Sequence, residues 1–180
     1  FRKKVKNTNV YNMSDTIKYG VIGAGVMGQE HIHNINIIDS AEVVAVCDTN
    51  ETSSNQARSL IKDPAKFYNN IEDLINNNIA DAYIIATPNF SHIDILEKIL
   101  KTNKHLLVEK PLCTTTKDCK KFESLSKNYS KIIWTGMEYR YMPPVKQLIE
   151  EIHNNTIGQI KMLSIREHRF PFLHKVDDWN

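Results

Sequence analysis

The stretch Gly23-Ala24-Gly25-Val26-Met27-Gly28 places glycine at its first, third and sixth positions, a spacing suited to holding a pyrophosphate against backbone N–H groups. Gly23 permits a tight turn, Gly25 lets the backbone approach the phosphates, and Gly28 lets a helix lie close to a strand. With Val26 and Met27 opening that helix, the pyrophosphate would meet free N–H groups and the positive end of the helix dipole. About twenty residues beyond the last glycine, Asp48 ends an apolar run, where a carboxylate can accept from both hydroxyls of an adenosine ribose. A carboxylate there repels a 2′-phosphate, which favours NAD over NADP. Asp48 also suits a plainer role as a helix cap or turn residue. A methyltransferase using S-adenosylmethionine could combine a glycine turn with an acid after the second strand, but Gly28 argues against that alternative.

Two further groups follow apolar runs. Thr87, Pro88 and Asn89 come after Ala82–Ala86, and Glu109, Lys110 and Pro111 come after His105–Val108. Both would fall at the carboxyl edge of a parallel sheet, where ligands bind in open α/β folds. In the plainer readings Lys110 is a surface lysine, Glu109 pairs with it, and Asn89 or Ser91 caps a helix. No metal site is expected: His31 and His33 stand two apart on a helix and point in different directions. Cys47, Cys113 and Cys119 lack the spacing of a metal or disulfide framework.

The elements that position these groups alternate. Short β-branched runs at Lys18–Ile22, Glu42–Cys47, Ala82–Ala86, His105–Val108 and Lys131–Thr135 are separated by helical patterns at Val26–Ile38, Glu51–Ile61, Ile71–Asn76, Ser91–Thr102 and Thr116–Lys127. That alternation predicts an α/β fold with a doubly wound parallel sheet over residues 17–135. Residues 1–16 read as an irregular leader carrying Arg2, Lys3, Lys4 and Lys6, the source of the net charge of +2. So small a charge points away from nucleic acid. No apolar run reaches the roughly 18 residues of a membrane span, so no membrane partner is expected and the cytoplasm is the expected compartment. From residue 136 a second unit begins. Pro143-Pro144 opens a helix to about His153, a strand is expected at Ile160–His168, and this α/β unit reads as incomplete at Asn180.

Taken together, several motifs make the chain resemble the Gfo/Idh/MocA family of NAD(P)-dependent oxidoreductases. They are G-A-G-V-M-G-Q-E-H ending at His31, Ala86-Thr87-Pro88-Asn89 with His92, Glu109-Lys110-Pro111, Glu138-Tyr139-Arg140-Tyr141-Met142-Pro143 and Ile157-Gly158-Gln159-Ile160. The resemblance implies a Rossmann domain followed by an α/β domain that forms the substrate site and commonly an oligomer interface, so that a homo-oligomer is expected at full length. It implies hydride transfer between NAD and a secondary alcohol of a sugar, cyclitol or polyol. It makes Lys110 the active-site lysine, with its bond to Pro111 cis as in relatives. It puts Glu109 beside the nicotinamide ribose and Thr87, Pro88 and Asn89 beside the nicotinamide. His92 and Arg140 are further cofactor-binding candidates, although His92 also fits a structural place in a first helical turn and Arg140 an inter-domain ion pair. His31 is expected to pack near the glycine turn.

Relatives carry an Asp and a His four apart on a later helix, which this chain lacks; His168 and His174 do not have that spacing. A non-catalytic dinucleotide-binding or regulatory module therefore stands as an alternative, as does a relative that cleaves glycosides or reduces imines.

Overall fold

A computed structural model describes residues 16–62 and 64–168; residues 1–15 of the expected leader, His174, and Trp179, which reads from the sequence as a pocket wall or a core residue, lie outside them. Among the described residues, six strands and six α-helices alternate through β1 (Ile17–Ile22), α1 (Val26–Ile35), β2 (Ala41–Cys47), α2 (Glu51–Leu60), β3 (Lys66–Tyr68), α3 (Ile71–Asn77), β4 (Ala82–Ile85), α4 (His92–Ile99), β5 (His105–Glu109), α5 (Thr116–Ser126), β6 (Ile133–Gly136) and α6 (Pro143–His153). The sheet order is β3-β2-β1-β4-β5-β6, and the ladders joining β1 to β5 and β3 are all parallel. The chain leaves β1 toward β2 and β3, then returns across β1 to build β4. This reversal is the topological switch point, and it opens a crevice above the carboxyl ends of β1 and β4.

Because side chains alternate along a strand, each strand supplies both faces of the sheet. Val21, Val46 and Ile84 pack with Ile32 and Ile35 of α1 and Ala57 of α2. Their neighbours Ile22, Cys47 and Ile85 pack with Leu74 of α3 and with Leu96 and Ile99 of α4 on the opposite face. Each fully buried aliphatic side chain of this kind contributes about 1.5–3 kcal/mol relative to an exposed one. Three helices have side-chain caps: Asn50 accepts from Ser53 N–H, Asn70 from Asp73 N–H and Thr115 from Asp118 N–H. Asp73, Asp94 and Asp118 each lie in a first turn, where the helix dipole favours a carboxylate.

The structure departs from the sequence reading at several places. β3 is absent from the sequence reading, because three residues with one charged member make no periodic signal; the pairing of Ala45, Val46 and Cys47 with Lys66, Phe67 and Tyr68 creates it. The helix expected from Ser91 begins at His92 after a 3-10 turn over Asn89–Ser91, and neither Asn89 nor Ser91 caps it through a side chain. Residues 160–168 form no strand; a strand is held by ladder bonds to a neighbour, and none of the described residues supplies one.

The fold divides after Thr135. In the second unit Pro143 and Pro144 stand in the first turn of α6, where a missing N–H costs nothing. No described helix is long and apolar enough to cross a membrane.

Candidate active site

β1 runs into the glycine turn, and the turn is locked from both sides. Gly23 N–H donates to Cys47 O of β2 at 2.8 Å, and Ala86 N–H donates to Ile22 O at 2.8 Å. Gly23 has φ +92°, and a Cβ there would lie 2.6 Å from Ala86 O, so both conformation and contact require glycine. At Gly28 a Cβ would meet Gly23 O at 1.8 Å; at Gly25 it would meet nothing within 4 Å. Gly28 thus seats α1 on the strand, whereas Gly25 faces open space beside the start of α1. Val26 and Met27 are exposed there, and first-turn N–H groups of a helix have no intrahelical acceptor. These features fit a pyrophosphate.

Asp48 follows β2. Its two carboxylate oxygens accept from Ala24 N–H at 2.6 Å and Asn50 N–H at 2.8 Å. The carboxylate is thereby fixed between the glycine turn and the start of α2, and an ionised carboxylate has acceptor sites to spare for ribose hydroxyls. Asp48 also lines a recess of about 530 Å³ with Thr49, Arg58, Phe67 and Tyr68. The Arg58 guanidinium stands 3.8 Å from the Phe67 ring centre. Sequence reasoning missed this stacked pair because β3, which carries Phe67, gave no signal.

Across the switch point, β4 leads to Thr87, Pro88 and Asn89, all half-buried, and the Ser91 hydroxyl lies 2.8 Å from Thr87 Oγ1 and 2.7 Å from Pro88 O. β5 leads to buried Glu109 and exposed Lys110, and the Lys110–Pro111 peptide is cis. His92, a candidate cofactor ligand, turns inward instead. It is 1% exposed, with Nδ1 3.0 Å from Pro111 O and Nε2 3.0 Å from Thr87 O. Its two ring nitrogens face backbone carbonyls of different loops, so His92 is wedged between them.

Glu109 does more than neighbour Lys110. Its Oε1 meets His31 Nε2 at 2.7 Å and its Oε2 accepts from Lys110 N–H at 3.3 Å. Burial pushes the Glu109 carboxyl up, but the His31 hydrogen bond and charge, with the Lys110 N–H and ammonium, outweigh it and hold the carboxyl below its ordinary value of 4.5. The His31–Glu109 pairing was legible in one respect. His31 lies three residues after Gly28, on the face that Gly28 brings against the sheet, so a polar side chain there requires a polar partner. Arg140 sits exposed in the second unit, on a 3-10 turn over Glu138–Tyr141.

The glycine turn, Asp48, the Thr87–Asn89 loop and Lys110 therefore all stand at the carboxyl ends of neighbouring strands. Residues 17–137 match the model of the GFO_IDH_MocA family, described as an oxidoreductase family with an NAD-binding Rossmann fold. The chain belongs to the Gfo/Idh/MocA family. It is 34% identical over 155 residues to an inositol 2-dehydrogenase of Salmonella typhimurium, covering 85% of this chain and 46% of the relative. It is 33% identical over 152 residues to a glucose-6-phosphate 3-dehydrogenase of Bacillus subtilis, covering 84% of this chain and 41% of the relative. A crystal structure of myo-inositol dehydrogenase from Lactobacillus casei in complex with NAD(H) and myo-inositol superposes with a TM-score of 0.74 at 33% identity, covering 79% of this chain and 43% of that one. The chain thus spans less than half the length of these relatives, and residues 17–137, matched by the NAD-binding Rossmann family model, make up most of the shared part.

Proposed function

We propose that this chain is the cofactor-binding part of an NAD-dependent dehydrogenase acting on a secondary alcohol of a cyclitol or sugar. The observation that carries this reading is the convergence of Gly23–Gly28, Asp48, Thr87–Asn89 and Lys110 on one sheet edge around the switch point, in a chain whose relatives include inositol dehydrogenases. NAD, when bound, accepts the hydride that leaves the carbinol carbon.

The chain's own residues divide the remaining work. Gly23, Gly25, Val26, Met27 and Gly28 hold the pyrophosphate at the start of α1. Asp48 accepts from the adenosine ribose and disfavours a 2′-phosphate. Thr87, Pro88 and Asn89 wall the nicotinamide end, with Glu109 near its ribose. Lys110 hydrogen-bonds the reacting oxygen through Nζ and takes part in moving its proton. His92 belongs to the site through the backbone it holds.

Calorimetric titration of the chain with NAD and NADP tests the cofactor half of this reading. NAD is expected to bind and NADP to bind more weakly; the reverse preference removes the role of Asp48, and binding of neither removes the reading. NADH formation by the natural full-length protein with myo-inositol, other cyclitols and sugars tests the chemistry. Turnover with none of them would leave a binding module.

A further inference from the structure

Lys110 is flanked in sequence by Glu109 and Pro111, and each flank is held by a histidine from a different helix. His31 of α1 bonds the Glu109 carboxylate at 2.7 Å, and the same carboxylate accepts the Lys110 N–H at 3.3 Å. His92 of α4 stands between Pro111 O and Thr87 O, 3.0 Å from each. Each carbonyl thus lies within hydrogen-bond reach of one ring nitrogen, and the imidazole is wedged between the two loops. We propose that His31 and His92 are positioning residues that bracket Lys110, acting through Glu109 and Pro111 to hold its backbone against the nicotinamide end of the crevice. This rests on the dehydrogenase reading for what Lys110 faces, but not for the bracket.

Physically, the bracket links three parts of the site. α1, whose start faces the pyrophosphate, reaches the lysine through His31; the Thr87 loop reaches it through His92. Lys110 itself is exposed at the end of β5. Holding the backbone in advance reduces the ordering that binding would otherwise require. A purely structural role for either histidine would instead stabilise the whole domain without favouring one end of the cofactor.

The test compares NADH with ADP-ribose, which shares the adenosine and pyrophosphate but lacks the nicotinamide, using the 180-residue chain and its His31→Leu, His31→Gln and His92→Leu variants. In the leucine variants NADH affinity is expected to fall about tenfold while ADP-ribose affinity stays within about twofold, as the loss of a hydrogen bond to a charged group allows. His31→Gln, which keeps a donor for Glu109, should recover most of the loss. Parallel weakening of both ligands, or no change in either, overturns the bracket. If His92→Leu does not fold, the partly exposed His31 carries the test. Hydrogen exchange at the Lys110 amide of the ligand-free chain gives a second, cofactor-independent measure. It should quicken in His31→Leu relative to the core amides of β1, and unchanged exchange overturns the proposal. Wild-type chain that binds ADP-ribose as tightly as NADH would show that the dehydrogenase reading has failed at the nicotinamide end, while the exchange measurement would still decide the bracket.

Discussion

The two halves of the sheet edge are built differently. On the β2 and β3 side, Asp48 is tied to the backbone N–H groups of Ala24 and Asn50, so a carboxylate is anchored by main chain that the turn and helix start would present anyway. On the β4 and β5 side, the Lys110 turn is held by histidine side chains from α1 and α4, the first of them 78 residues away in sequence. The Asp48 end, the proposed adenosine side, is thus specified by main-chain donors, and the Lys110 end, the proposed nicotinamide side, by side chains from separate helices. Recognition needs a fixed shape for an unchanging adenosine; chemistry needs a reactive group aimed to within a fraction of an ångström.

The contrast is broken most sharply at Lys110. Lys110→Ala is expected to lower turnover of the full-length protein by about 10³-fold, the scale of a lost acid-base group, with NAD affinity nearly unchanged in calorimetry. Equal losses of binding and turnover would mean that the lysine serves recognition, as the other side does. Gly28→Ala tests what both sides share. A methyl group forced against the Gly23 carbonyl should cost about 3 kcal/mol by displacing α1, seen as a lower midpoint in urea and as loss of NAD and ADP-ribose binding together.

Asp48→Asn should act on the adenosine side alone. Removing the negative charge is expected to raise NADP affinity relative to NAD by about tenfold, measured by paired titrations, without altering exchange at the Lys110 amide. An effect on Lys110 would show that the two sides are coupled more tightly than their separate bonds suggest.

The smallest effect concerns pH. Glu109 has a folded pKa below 4.5 because the His31 bond and charge overcome its burial. A depressed carboxylate contributes stability that is complete above the unfolded value, near 4.5, and is lost as pH falls through the lower folded value. His31→Leu should therefore be less stable than wild type by about 1–2 kcal/mol near neutrality, and the difference should shrink on acidification below 4.5. A gap that stays constant down the acid limb of the urea midpoints would remove Glu109 as its source.

Much of the fold was legible because its signals are periodic. β1, β2, β4 and β5 carry apolar runs that a two-sided sheet demands, and their ends fall within about two residues of expectation. β3 was invisible because Lys66–Tyr68 becomes a strand only by pairing with β2, and residues 160–168 have strand-like composition but no ladder to another strand among the described residues. The helix expected to run to Ile38 ends at Ile35, since Ile37 and Ile38 are exposed and have no face to cover.

For the site, residue types and spacing determined the glycine turn, the place of Asp48 and the position of Lys110 after a buried strand, because those roles follow from backbone geometry within single βα units. What the histidines do was decided only by tertiary structure. His31 reads as a packing residue and His92 as a cofactor ligand or helix-start residue until α1, α4 and the end of β5 are brought together. A hydrogen bond between side chains far apart in sequence leaves no periodicity and no spacing rule. Its partners are chosen by which polar groups the folded core leaves facing one another, and in this chain that choice sets how Lys110 is held.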